Sequence, residues 1–146
     1  MSKFMKTLNN ISRSQAIYRH NKISADDLQS GHYSFVLAIC RLPGRSQEEL
    51  AQELCVNKST VARNLNYLEE KGYILRQPLP NDKRQFSVHP TEKMLNVLPE
   101  VRTASREWIT LLSEGIPQSE LDIFDSVLSR MQEKAREIIE KQEENK

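Results

Sequence analysis

The segment "NKSTVARNLNY", residues 57 to 67, places Ser59, Thr60 and Arg63 among small and apolar neighbours, and further on "NDKR" brings Asp82, Lys83 and Arg84 together. Short hydroxyls, amides and forked guanidiniums are side chains that hydrogen-bond to phosphates and base edges. They do not form a catalytic set. The three histidines, His20, His32 and His89, are scattered, no Ser/His/Asp or Cys/His arrangement is indicated, and no phosphate-binding glycine loop exists. Cys40 and Cys55 lack metal-site spacing. The residues therefore predict no catalytic residue, no metal and no cofactor, and an enzyme is not indicated.

The elements that must position these residues are mainly helical. Phe4, Leu8, Ile11 and Tyr18 recur at helical spacing, with Gln15 in the missing slot, and predict a helix over 4–18 with a narrow apolar stripe. "HYSFVLAICRL" is apolar nearly all round and reads as a buried helix, ended by Pro43 and Gly44, with Cys40 as a small buried hydrophobe. Ser46 and Glu49 form a capping box, so a short helix starts near Gln47 with Leu50 and Leu54 inward. Asn57 is a good N-cap for the next helix, and Gly72 closes it. Within that helix Val61, Leu65 and Leu68 share one face, which puts Ser59, Thr60, Arg63 and Tyr67 on the other.

The period then changes. In "YILRQPLPNDKRQFSVHP", Ile74, Phe86 and Val88 alternate with polar neighbours around "PND", which predicts a β-hairpin with a polar tip. From Thr91 a helix carries Met94, Val97, Val101, Ala104, Trp108 and Leu111, with Pro99 inside it as an expected kink. After "EGIP", a last helix starts with Pro117 at its first position and repeats Leu121, Phe124, Leu128, Met131, Ala135 and Ile138 at heptad spacing. Three helices followed by a two-stranded hairpin describe a winged helix-turn-helix: mainly α with a small β wing (α+β), flanked by N- and C-terminal helices.

The chain of 146 residues has a net charge of +1, 38% hydrophobic and 28% charged residues, so any basic feature must be local. Between Asn57 and Gln85 six basic residues face three acidic ones, a local +3 centred on the helix start and the hairpin tip. No apolar run of about 18 residues indicates a membrane span. "MSKFMKTLNN" has no apolar signal region, and the two cysteines read as free thiols, so a cytoplasmic location is expected.

The pattern "LAQELCVNKSTVARNLNYLEEKGYILR…PNDKR" resembles the MarR family of bacterial transcriptional regulators over nearly the whole chain. The resemblance implies one domain, with residues 30–90 as the DNA-binding region and 1–29 and 91–146 as the helical dimerisation region. It implies that double-stranded DNA is met by Asn57, Lys58, Ser59, Thr60, Arg63, Asn64, Tyr67, Asp82, Lys83 and Arg84. In the family's D-x-R motif the aspartate orients the arginine, which enters a minor groove; Asp82 and Arg84 match those roles, and a narrow groove attracts Arg electrostatically. His89-Pro90 and Met94 depart from the family pattern after the wing, and Pro90 is expected to end the strand early. Cys55 stands where the family often has a glycine, in a turn that strains other residues.

The apolar stripes at both ends exceed what a small winged domain covers, and heptad spacing suggests a helical interface between chains, against the alternative of an intramolecular bundle. The resemblance implies a two-fold homodimer on an inverted repeat, with half-sites about 10 bp apart. It also implies a repressor released by a small aromatic or phenolic ligand, for which His32 and Tyr33 are candidates. Cys55, beside Lys58 and a helix start, is the candidate for a redox-responsive alternative, although no second Cys lies near it in sequence. The other alternative, a protein-interaction module without DNA binding, predicts acidic or apolar residues at Ser59, Thr60, Arg63 and Arg84, and the sequence has the reverse.

Overall fold

The computed structural model describes residues 2–146 and contains, in chain order, α1 (Ser2–Lys22), a 3-10 turn (Ser30–His32), α2 (Tyr33–Arg41), β1 (Arg45–Ser46), α3 (Gln47–Leu54), α4 (Lys58–Glu70), β2 (Ile74–Leu79), β3 (Asp82–Pro90), α5 (Glu92–Leu112) and α6 (Gln118–Glu144). Two compact units divide the chain: one ends at Trp108 and the other runs Ile109–Lys146. The first holds the core. Tyr33, Val36 and Ile39 of α2 meet Leu50 of α3, and Val61, Leu65 and Leu68 of α4, all essentially without solvent exposure. Met94, Val97, Val101 and Ala104 of α5 join the same cluster. Cys40 is half-buried against it, and burial pushes its thiol up from the ordinary range.

Local chemistry fixes the helix-turn-helix. Ser46 Oγ accepts from the Glu49 N–H while Glu49 Oε1 accepts from the Ser46 N–H, a complete capping box. Buried Arg45 pairs with Glu53, as does Arg41, and Arg45 also donates to the carbonyls of Leu42 and Ala38, pinning the turn after α2 to α3. The ends of α3 and α4 use one device. At each, the next two N–H groups fold back on the last turn: Cys55 to Gln52 O and Val56 to Ala51 O, then Gly72 to Glu69 O and Tyr73 to Leu68 O. The device needs a left-handed residue. Gly72 supplies it at φ 80°, but at the first turn Cys55 adopts φ 52°, ψ 45°, and among the described residues it alone does so without being glycine. Thr91 closes the second turn by donating to Gly72 O at 2.6 Å.

Several expectations change. The sheet has three strands, ordered β1-β3-β2 and antiparallel, because Arg45 and Ser46 pair with Val88 and Ser87. β3 ends at Pro90, as expected, but only after pairing along the whole of β2, since Pro90 faces Ile74, the first residue of that strand. Phe86 is exposed, lying at the wing beyond the reach of the core, with the Arg76 guanidinium 6.0 Å above its ring. α1 extends in both directions beyond 4–18, since nothing in "SKF" or "RHNK" breaks a helix. Pro99 lies inside α5 as expected, whereas Leu111 is exposed rather than part of its buried stripe. Pro117 is the N-cap of α6, its ψ of 141° keeping it outside the helix. In the second unit no residue of α6 is buried, and Ile123, Phe124, Met131, Ile138 and Ile139 are exposed. No helix among the described residues is long and apolar enough to cross a membrane.

Candidate nucleic-acid interface

The start of α4 carries a preorganised set of polar side chains. Asn57 Oδ1 accepts from the Thr60 N–H and from Ser59 Oγ, both at 2.8 Å, so the N-cap also orients the first hydroxyl. Thr60 Oγ1 accepts from Arg63 Nη2 at 3.1 Å, and Asn64 Nδ2 donates to Thr60 O at 2.8 Å. Ser59 and Arg63 are exposed, Thr60 and Asn64 half-buried. Lys58 Nζ is exposed, 3.9 Å from Glu48 of α3. This face offers donors to solvent, while Val61, Leu65 and Leu68 on the opposite face hold the helix on the core.

The second cluster is the wing tip. Leu79 pairs with Asp82 around the Pro80-Asn81 turn, whereas Pro78 pairs with Phe86, so Lys83, Arg84 and Gln85 are looped out of the ladder. All three are exposed. Asp82 Oδ1 accepts from the Arg84 backbone N–H at 3.0 Å, so the aspartate shapes the loop on which the arginine stands. Arg84 is exposed, and among the described residues its guanidinium makes no ion pair.

Sequence reasoning missed the strut between the two clusters. Arg76 of β2 donates to both carboxylate oxygens of Glu69, at 2.9 and 3.1 Å, and to Asn66 Oδ1 at 2.8 Å, bracing the wing on α4. The Arg76 hydrogen bonds hold the Glu69 carboxyl below the usual carboxylate range. Arg76 is thus neutralised and Lys58 partly so, which narrows the local positive excess to Arg63, Lys71, Lys83 and Arg84.

The structure moves three predicted residues away from their expected surfaces. Tyr67 does not stand free beside Arg63: it is half-buried, and its hydroxyl donates to Asp27 O at 2.6 Å. Its place on α4 is on the flank of the buried stripe, close enough for an aromatic ring to turn inward. His32 is buried, with its ring stacked on Tyr67 at 4.6 Å and its Nδ1 accepting from the Gln29 N–H at 2.9 Å; burial holds its imidazole below the ordinary range. Tyr33 has no solvent exposure, and its hydroxyl lies 3.4 Å from His20 Nδ1. Both candidate ligand residues are thus packed into the interior by these contacts. A surface cleft of about 260 Å³ lies nearby, lined by Ala16, Ile17, His20, Asn21, Gln29 and Ser30. Cys55 is exposed and Cys40 half-buried, both free thiols, and Cys55 Sγ points to Gln52 O at 3.7 Å. Among the described residues no group of His, Cys, Asp or Glu could hold a metal.

A capped helix with an outward donor face, preceded by a tight turn and followed by a basic wing braced against it, defines a winged helix-turn-helix protein. The MarR family's model matches residues 26–85. The HTH-type transcriptional regulator YybA of Bacillus subtilis (strain 168) is 30% identical over 105 residues, which cover 72% of this chain and 70% of that protein. Among solved structures, a MarR transcriptional regulator from Methanosarcina mazei Go1 superposes with a TM-score of 0.84 at 28% identity, covering 94% of this chain and 99% of the other. A MarR family regulator from Listeria monocytogenes, solved in complex with a 26mer DNA, shares the fold with a TM-score of 0.85 at 21% identity, covering 91% and 89% of the two chains. This chain belongs to the MarR family of transcriptional regulators, a family of regulators rather than enzymes.

Proposed function

We propose that this chain is a cytoplasmic, homodimeric repressor that binds an inverted repeat in double-stranded DNA and is released by a small aromatic or phenolic ligand. One observation carries the DNA reading: two outward polar clusters, Ser59, Thr60 and Arg63 on α4 and the looped-out Lys83 and Arg84 on the wing, are braced together by Arg76. A recognition helix presents its N-terminal half to a major groove, and a guanidinium without an ion-pair partner suits a narrow minor groove. Asn57, Lys58, Asn64 and Asp82 act beside them, Asn57 and Asp82 as orienting groups. The DNA bound to the Listeria protein of the same fold supports this reading.

The homodimer rests on the family and on the apolar residues that α6 leaves in water, Ile123, Phe124, Met131, Ile138 and Ile139. A second copy of the chain is the occupant that a two-fold inverted repeat requires. For the ligand, the cleft beside His20 joins apolar walls at Ala16 and Ile17 to polar groups at His20, Asn21 and Gln29, a mixture that suits a small aromatic ring bearing a polar substituent.

Selection of duplexes from a random-sequence pool tests the proposal. Enrichment of an inverted repeat with half-sites about 10 bp apart, bound by a species that sediments as a dimer, is expected. A pool that enriches no sequence, or a monomer at micromolar concentration, would overturn it.

A further inference from the structure

Tyr67 is held more firmly than a DNA-facing side chain needs to be. Its ring stacks on His32 with planes 14° apart, and its hydroxyl donates to Asp27 O at 2.6 Å. Both partners belong to one short segment, residues 27–32, which is itself braced. His32 is oriented by the Gln29 N–H on Nδ1, and the Asp27 carboxylate accepts from the Tyr73 hydroxyl and from Lys93 Nζ at 2.8 Å. Lys93 of α5 also donates to Lys71 O at 2.7 Å, at the end of α4. The segment therefore grips α4 on its flank at Tyr67 and at its C-terminal end through Tyr73 and Lys71, while Asn57 caps the other end.

Tyr67 is four positions after Arg63, one turn along the same flank of α4. A rotation of the helix about its axis would move both residues together. Reading of base edges requires geometry held to roughly 0.5 Å and 10–20°, whereas attraction to phosphates tolerates more.

We infer that Tyr67, clamped by His32 and the Asp27 carbonyl, is a positioning residue that sets the rotation of α4 and thereby the discrimination between DNA sequences, without touching DNA itself. This rests on the proposed DNA binding. The clamp acts on sequence-specific binding and leaves non-specific, phosphate-driven binding unchanged.

Two variants test it. Tyr67→Phe keeps the stacked ring and removes only the hydroxyl; His32→Gln keeps an acceptor for Gln29 and removes the ring. The readout is the ratio of dissociation constants for a scrambled duplex and for a duplex selected by the wild-type protein, at one salt concentration, with circular dichroism establishing that each variant is folded at the assay temperature. Each variant should lower the ratio by about three- to ten-fold, the range for loss of one such contact, with affinity for the scrambled duplex unchanged. A wild-type ratio in His32→Gln, with or without a loss in Tyr67→Phe, would overturn the inference, because Tyr67 would then act directly or not at all. A fall in scrambled-duplex affinity equal to that for the selected duplex would also overturn it. If the wild-type protein itself does not distinguish the two duplexes, the DNA reading fails before the clamp is reached.

Discussion

Replacing Cys55 by glycine should stabilise the protein. The residue occupies φ 52°, ψ 45° at the end of α3, and the hydrogen bonds from Cys55 N to Gln52 O and from Val56 N to Ala51 O hold it there. A left-handed conformation costs an L-residue roughly 1–2 kcal/mol. Glycine removes that cost but adds roughly 0.5–1 kcal/mol of unfolded-chain entropy. The side chain is exposed, and its thiol lies 3.7 Å from Gln52 O, so little packing is lost. The net expectation is about 0.5–1 kcal/mol in favour of glycine, which for a chain of this size corresponds to roughly 2–4 °C per kcal/mol in melting temperature. Urea unfolding followed by circular dichroism, at one fixed protein concentration because association shifts apparent stability, supplies the measurement. Cys55→Ala serves as the control: it removes the thiol, keeps the backbone strain, and should lie close to wild type. A Cys55→Gly midpoint at or below that of Cys55→Ala would refute the strain argument.

Further outcomes follow from the same contacts. Asn57→Ala removes the cap on α4 and should cost about 1 kcal/mol in urea unfolding; an unchanged midpoint would mean the cap is not formed in solution. Leu65→Ala, at a position with no exposure, should cost about 2–5 kcal/mol, and a loss below about 1 kcal/mol would contradict the packing of α4 on the core. For pH, burial lowers the folded His32 imidazole, so the unfolded chain takes up its proton first, near pH 6.5. Stability should therefore fall as pH drops below about 6.5, and His32→Gln should flatten that part of the profile; identical slopes would contradict it. Lys93 and Tyr73 lower the Asp27 carboxyl, so its contribution is present above the unfolded value of about 3.9 and is lost as pH falls through the folded one.

Much of the fold is written in local signals. Ser46 and Glu49 close a capping box three residues apart, Asn57 caps within its own turn, and Val61, Leu65 and Leu68 declare a buried face, so the helix-turn-helix could be placed from spacing alone. Gly72 and Cys55 end their helices by the same hydrogen bonds, but only glycine announces the conformation; Cys55 was legible through a family pattern, not its own chemistry. What spacing does not carry is long-range pairing. Tyr67 meets Asp27 forty positions away, and β1 consists of two residues that become a strand only because β3 lies beside them. The wing illustrates the same limit: alternation at Phe86 and Val88 announces a strand, yet the looped-out Lys83, Arg84 and Gln85 depend on a register shift that no period reveals. Charge counting likewise credited Arg76 to the DNA face, whereas Glu69 takes it up as a strut.

The central claim is that the α4 face and the wing tip bind DNA together, with Arg84 meeting a phosphate-lined groove. Its most direct test is fluorescence anisotropy of a selected duplex across a salt series, for wild type and Arg84→Ala. The wild type should lose affinity steeply with salt, and Arg84→Ala should bind more weakly with the slope reduced by about one unit. Superimposable salt curves for the two proteins would contradict the account.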